Sequence, residues 1–130
     1  MKLGGQLQEA MYRALIAEPL VAPVYDRPPA DAPLPYITIG DEQAIDDGNS
    51  CSDGWEVFAD VHVWSPAVKG SKLEVKRFMA SVEERLAVEL DVPGFTVLSG
   101  TLDSKRSFRD PDGVTEHGVL TFRFLIDPAS

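Results

Sequence analysis

Residues 55–65 read Trp-Glu-Val-Phe-Ala-Asp-Val-His-Val-Trp-Ser, and the alternation in this run decides the fold. Trp55, Val57, Ala59, Val61 and Val63 fall on one side at period two, all apolar, as a strand with one dry face requires. The other side carries Glu56, Phe58, Asp60, His62 and Trp64, a mixture of charge and large rings. A strand face of this kind suits an interface, with aromatic groups as anchors and polar groups around them. Phe58, His62 and Trp64 are therefore the candidates for contacts between subunits. The plainer reading, an exposed face with two scattered aromatics and a histidine that is an ordinary polar strand residue, stays open beside it.

Around this strand the chain has the make-up of one globular domain, residues 1–130. Its 130 residues are 44% hydrophobic and 25% charged, enough to bury a core without disulfides or metal. The formal charge of −9 argues against specific nucleic-acid binding, which needs a basic stripe. The single cysteine, Cys51, has no partner for an internal disulfide and lies in a polar segment, as an incidental thiol. Gln6, Gln8 and Glu9 interrupt any signal-peptide core, and no apolar run reaches membrane-spanning length. The expectation is a soluble intracellular protein with no membrane contact.

Upstream, Leu3, Leu7, Ala10, Met11, Ala14 and Leu15 recur at helical spacing, predicting a helix from about Gly5 to Ala17 that stops before Pro19. Six of the ten prolines fall between Pro19 and Pro35, and this stretch is expected to be a rigid crossover. Tyr36-Ile37-Thr38-Ile39 reads as a first strand ended by Gly40. Residues 41–54 hold Asp41, Glu42, Asp46, Asp47 and Asp53 with no base, and the expectation is a solvated loop. Their spacing does not match a calcium loop.

Downstream, Ser71 and Glu74 have the spacing of a capping box, so a second helix should begin near Lys72. Val75, Phe78, Met79, Val82, Leu86 and Leu90 form its buried stripe, and Pro93-Gly94 ends it. Lys69, Lys72, Lys76 and Arg77 gather at its N-terminal end, where the helix dipole disfavours cations, so they are candidates for contact with an acidic partner, with a solvated face tolerated at small cost as the plainer reading. Phe95 to Leu102 is expected as a third strand, with Leu98 and Leu102 on one face. Glu116 to Ile126 is expected as a fourth, after a turn at Asp110-Pro111-Asp112-Gly113. Lys105, Arg106 and Arg109 make the tract before that turn basic. The order α-β-β-α-β-β predicts an α+β fold, a four-stranded antiparallel sheet with both helices on one face.

No chemistry emerges from this chain. His62 and His117 stand beside no serine or cysteine in a nucleophile motif, and there is no phosphate loop, paired-cysteine site or HExxH helix. A non-enzymatic protein without cofactor or metal is expected.

The run Leu7-Gln8-Glu9-Ala10-Met11-Tyr12-Arg13-Ala14-Leu15, the proline-bracketed entry Val24-Tyr25-Asp26 to Leu34-Pro35-Tyr36-Ile37-Thr38-Ile39-Gly40, the strand end Val61-His62-Val63-Trp64-Ser65 and the hairpin Asp112-Gly113 with His117-Gly118-Val119-Leu120-Thr121-Phe122-Arg123-Phe124 belong together. In order and spacing, over residues 7–126, they resemble the tail completion or tail-terminator proteins of long-tailed phages, prophages and gene transfer agents. That resemblance implies a structural protein of the virion, assembled in the host cytoplasm. It implies a hexameric ring capping the head-proximal end of the tail tube, with the major tail tube protein and head–tail connector proteins as partners and DNA passing through. No catalytic residue carries over. The acidic residues Asp41, Glu42, Asp46, Asp47 and Asp53 would suit the lumen of such a ring, where carboxylates repel the passing phosphates. The competing class is a small α+β ligand-binding or regulatory module acting as a dimer.

Overall fold

The computed structural model describes residues 2–17, 22–47 and 54–129. Helix α1 (Gln6–Ile16) is followed by strand β1 (Val24–Tyr25) and the long hairpin of β2 (Tyr36–Asp46) and β3 (Trp55–Pro66). A 3-10 turn at Val68–Gly70 leads into helix α2 (Leu73–Leu86), and β4 (Phe95–Arg109) and β5 (Thr115–Pro128) form a second hairpin. The expected stop at Pro19, the thiol of Cys51 and the acid Asp53 lie outside the described residues.

The sheet has five strands in the order β1-β2-β3-β5-β4, and it is mixed, since β1 runs parallel to β2. This corrects the four-stranded antiparallel expectation. The extra strand is Val24-Tyr25, the only pair of β-formers between the prolines. Bracketing prolines hold it to two residues, paired with Ile37 and Thr38.

The long strand behaves as its alternation predicts. Val57, Ala59, Val61 and Val63 are buried, and they share one core with Ile37, Ile39, Leu120, Phe122, Phe124 and Ile126. Leu7, Met11 and Leu15 of α1 and Val75, Phe78, Met79, Val82 and Leu86 of α2 close that core from the helix side. Helix α2 crosses β5 where Gly118 leaves room: a Cβ there would lie 2.6 Å from Met79 Sδ and 3.3 Å from Val75 Cγ2.

Four local expectations are corrected. Strand β2 continues through Asp46, so Asp41, Glu42 and Asp46 lie on a strand paired with β3 and not in a loop. Cross-strand pairing with the strongest strand of the chain overrides the weak β-propensity of these residues. Strand β4 runs on to Arg109, and a register shift between Val97 and Ser99 turns Leu98 outward, 59% exposed, while Val97 packs on the core. The capping box does not form, because Ser71 Oγ accepts from the Leu73 N–H at 3.2 Å. Leu90 is buried, but beyond the end of α2.

Candidate functional site

Among the described residues, the second face of the sheet carries no helix. Side chains Glu56, Phe58, Asp60, His62 and Trp64 of β3 stand on it half-buried, as the alternation places them. Register brings His117 opposite Trp64, Thr121 opposite Asp60 and Arg123 opposite Phe58. On the outer strands, Tyr36 lies opposite Trp64 and Phe108 opposite His117.

These rings make one row across all five strands. Tyr25 and Tyr36 meet edge-on at 5.9 Å, Tyr36 and Trp64 lie 6.2 Å apart, and Trp64 stacks on His117 at 3.7 Å between centroids. Phe108 follows at 4.8 Å from His117, with the Arg106 guanidinium 5.2 Å from the Phe108 ring centre. The Trp64 indole N–H donates to Thr38 Oγ1 at 3.1 Å. His62 Nδ1 and His117 Nε2 are hydrogen-bonded at 2.7 Å. Gly40 makes space for this pair, since a Cβ there would come within 2.5 Å of the His62 ring. Below the row, Arg123 Nε donates to Glu56 at 2.6 Å and the Thr121 hydroxyl donates to Asp60 at 2.7 Å. The face is thus a rigid aromatic band with a satisfied polar border.

Burial holds the His117 pKa down, to about 4, and the neighbouring His62 adds to that effect, while Asp110 opposes it. Burial also lowers His62, against the pull of Asp60 and Asp41. A base whose folded pKa lies below its unfolded value contributes stability that is full above the unfolded pKa. That stability is lost as pH falls toward the folded value. Folding stability should therefore decline between pH 6.5 and about 4, the interval spanned by His117. The face is partly solvated, so about 1–2 kcal/mol is a reasonable discounted magnitude. Urea unfolding at pH 7 and pH 5 measures it, and His117→Gln should flatten the slope; an unchanged slope would show that the pair does not set it.

A second polar cluster lies on the helix side, at the end of the sheet. Glu116 is fully buried, covered by two long side chains and not by depth. Arg109 Nε donates to its Oε1 at 2.5 Å, and Lys72 Nζ lies 3.3 Å from both oxygens. Desolvation raises the carboxyl pKa, but these hydrogen bonds and charges outweigh it and leave Glu116 below the usual range. Lys72 thus has a reason to sit at the start of α2 within its own chain. Lys69 lies on the 3-10 turn, at φ 52°, and Lys76 and Arg77 are exposed. Lys76, Met79, Lys105, Arg106 and Ser107 line a groove of about 370 Å³ between α2 and β4. The acidic candidates stand on the opposite edge: Asp41, Glu42 and Asp46 are exposed on β2, and Asp47 follows, its N–H bonded to the Gly54 carbonyl.

Sequence reasoning named Phe58, His62 and Trp64 but missed Tyr36, Phe108 and His117. The available signal was parity for His117, which alternates out of phase with Leu120, Phe122, Phe124 and Ile126 of its own strand, whereas Phe108 shares the parity of the core-packed Leu102 and reaches this face only through the register shift between Leu102 and Ser104. Glu116 gave no signal, since an acid at the start of a strand is ordinarily exposed.

The arrangement is a five-stranded mixed sheet backed by two helices, with an aromatic row on the face away from them. The chain belongs to the tail completion protein gp17 family, whose model matches residues 9–127. It is 32% identical over 109 residues to the tail completion protein gp17 of Bacillus phage SPP1, covering 83% of this chain and 79% of that protein. The solved structure of bacteriophage SPP1 gp17 is similar at a TM-score of 0.62 and 29% identity, over 91% of this chain and 86% of that one. A chain in the virion of a native gene transfer agent particle shares the fold, with a TM-score of 0.84 at 20% identity, over 95% of this chain and 96% of that one.

Proposed function

We propose that this chain completes a phage or phage-like tail by capping the head-proximal end of the tail tube as a hexameric ring and joining tail to head, without catalysis. Membership of the tail completion family carries this reading. The aromatic band supports it, because a bare face crossing every strand is surface suited to association. In the assembled ring, Phe58, His62 and Trp64 contribute to contacts between copies. Lys69 and Arg77 face the neighbouring tube or connector proteins, Lys76 borders the β4 edge, and Lys72 contributes only the charge that Glu116 leaves it.

Electron microscopy of tails made without the chain, and after adding it back, tests the reading. Uncapped tails should be restored to joined particles, and tails indifferent to the protein would refute it. The double variant Phe58→Ser with Trp64→Ser should still melt cooperatively yet cap poorly, because a desolvated aromatic anchor is worth about 2 kcal/mol or more. Normal capping by that variant would reduce the two rings to strand packing.

A further inference from the structure

We propose that successive copies join through their free sheet edges, the acidic β2 edge of one copy pairing with the basic β4 edge of the next. This rests on the ring reading above and names a contact that builds the ring. Strand β4 is an outer strand along its whole length, and β2 has a partner on its outer side only at Ile37 and Thr38. Beyond Thr38 the outer backbone groups of β2 face no strand among the described residues. Such edges are templates for another strand unless something covers them.

Charge selects which edge meets which. Residues 40–47 of the β2 edge carry Asp41, Glu42, Asp46 and Asp47 and no base. The β4 edge carries Lys105, Arg106 and Arg109, with Lys76 beside them across the groove. Glu83 and Glu116 take part of that positive charge, through Lys105 at 2.8 Å and Arg109 at 2.5 Å, and Asp103 and Asp110 flank the tract. Lys76 has no carboxylate partner among the described residues, and Arg106 lies over Phe108. Two copies joined by like edges would set acid on acid or base on base, so the contact is heterologous. Each addition leaves the same two edges free, and the series closes where the rotation allows.

Direction and register agree. β3 is antiparallel to β2, β5 to β3 and β4 to β5, so β4 runs opposite to β2. Copies in the same orientation therefore bring the two edges together antiparallel. A register opposing Glu42 with Arg109 also opposes Ala44 with Ser107 and Asp46 with Lys105. All six stand on the helix side of their strands, by their pairings with Ala59, Glu116, Val57, Gly118, Trp55 and Leu120. On the other side Ile45, 41% exposed, lands beside Arg106 and Phe108, at the end of the aromatic row.

The test uses charge exchange. Glu42→Lys with Asp46→Lys sets bases opposite Arg109 and Lys105, and Lys105→Glu with Arg106→Glu makes both edges acidic. Arg109 is left in place to hold Glu116. Rings on tail tubes are counted by electron microscopy, and self-association is followed by sedimentation at low salt. Each variant alone should assemble at least tenfold more weakly than the unaltered chain, and an equimolar mixture should recover. If a variant melts without cooperativity, the milder Glu42→Gln with Asp46→Asn should weaken assembly in the same direction. Either charge variant assembling normally, or a mixture no better than its components, overturns the edge contact. Normal assembly with slowed DNA release would place the acids in the bore instead, and also overturns it. Failure of the unaltered chain to cap tails would strike the ring reading itself, a result distinguishable from all of these.

Discussion

Replacing Arg109 with Met is expected to cost about 2–3 kcal/mol of folding stability, whereas replacing its partner Glu116 with Gln should cost only about 1. The asymmetry follows from burial. The Glu116 side chain is 1% accessible, while Arg109 and Lys72 are 38% and 49% accessible. Removing the base strands a carboxylate without water, with Lys72 alone to compensate. Removing the charge of the acid leaves two cations that can turn to solvent. Glu116 is held below 4.5 in the folded chain, so its contribution is present above that pH and is lost as pH falls through the folded value. In Arg109→Met the carboxyl loses its closest donor while burial still pushes it up. The stability gap to the unaltered chain should therefore narrow in acid. Chemical denaturation at pH 7 and pH 4 reads both effects, and equal costs for the two replacements would mean that Glu116 is effectively hydrated.

Gly118→Val should destabilise the fold by about 2–3 kcal/mol, through overpacking beneath α2. The space a Cβ would enter is already occupied by Met79 Sδ at 2.6 Å and Met79 Cγ at 2.8 Å, with Val75 Cγ2 at 3.3 Å. Met79 is flexible, so Gly118→Ala should cost less, about 1 kcal/mol. The branched side chain of valine must also displace Val75, which is fully buried. Shortening Met79 to Ala in the Gly118→Val background should recover part of the loss, giving a coupling that a double-mutant cycle detects. Thermal melts showing Gly118→Val within 0.5 kcal/mol of the unaltered chain would mean that the helix moves away freely.

What the amino-acid order disclosed was the part written in period. The alternation from Trp55 to Trp64 fixed the central strand and both of its faces, and the spacing of Val75, Phe78, Met79, Val82 and Leu86 fixed the buried side of α2. Features that depend on a distant partner stayed hidden. Val24-Tyr25 is a strand only because Ile37 and Thr38 lie alongside, and residues 41–46 are extended only because β3 pairs with them. Phe58, His62 and Trp64 could be named from one strand, but the row that His62 and Trp64 join is assembled by register with His117 and Phe108, while Phe58 lies apart from it, opposite Arg123. Lys72 looked misplaced at a helix N-terminus until Glu116, distant in sequence, supplied its partner.

The position of β5 sets the timing of folding. It follows every other strand and both helices in the chain, yet it lies inside the sheet, between β3 and β4. Until residues 115–128 have been made, β3 has only β2 beside it, β4 has no neighbour at all, and Val75 and Met79 have no strand to cross. The pairing of Trp55 with Ile126 closes a loop of most of the chain, and contacts of that sequence separation slow folding. The β1-β2-β3 half of the sheet can pair before that point, but the complete five-stranded sheet forms only once β5 has been made. Until then the nascent chain holds an open, aromatic-rich β3 edge that must be kept from other chains.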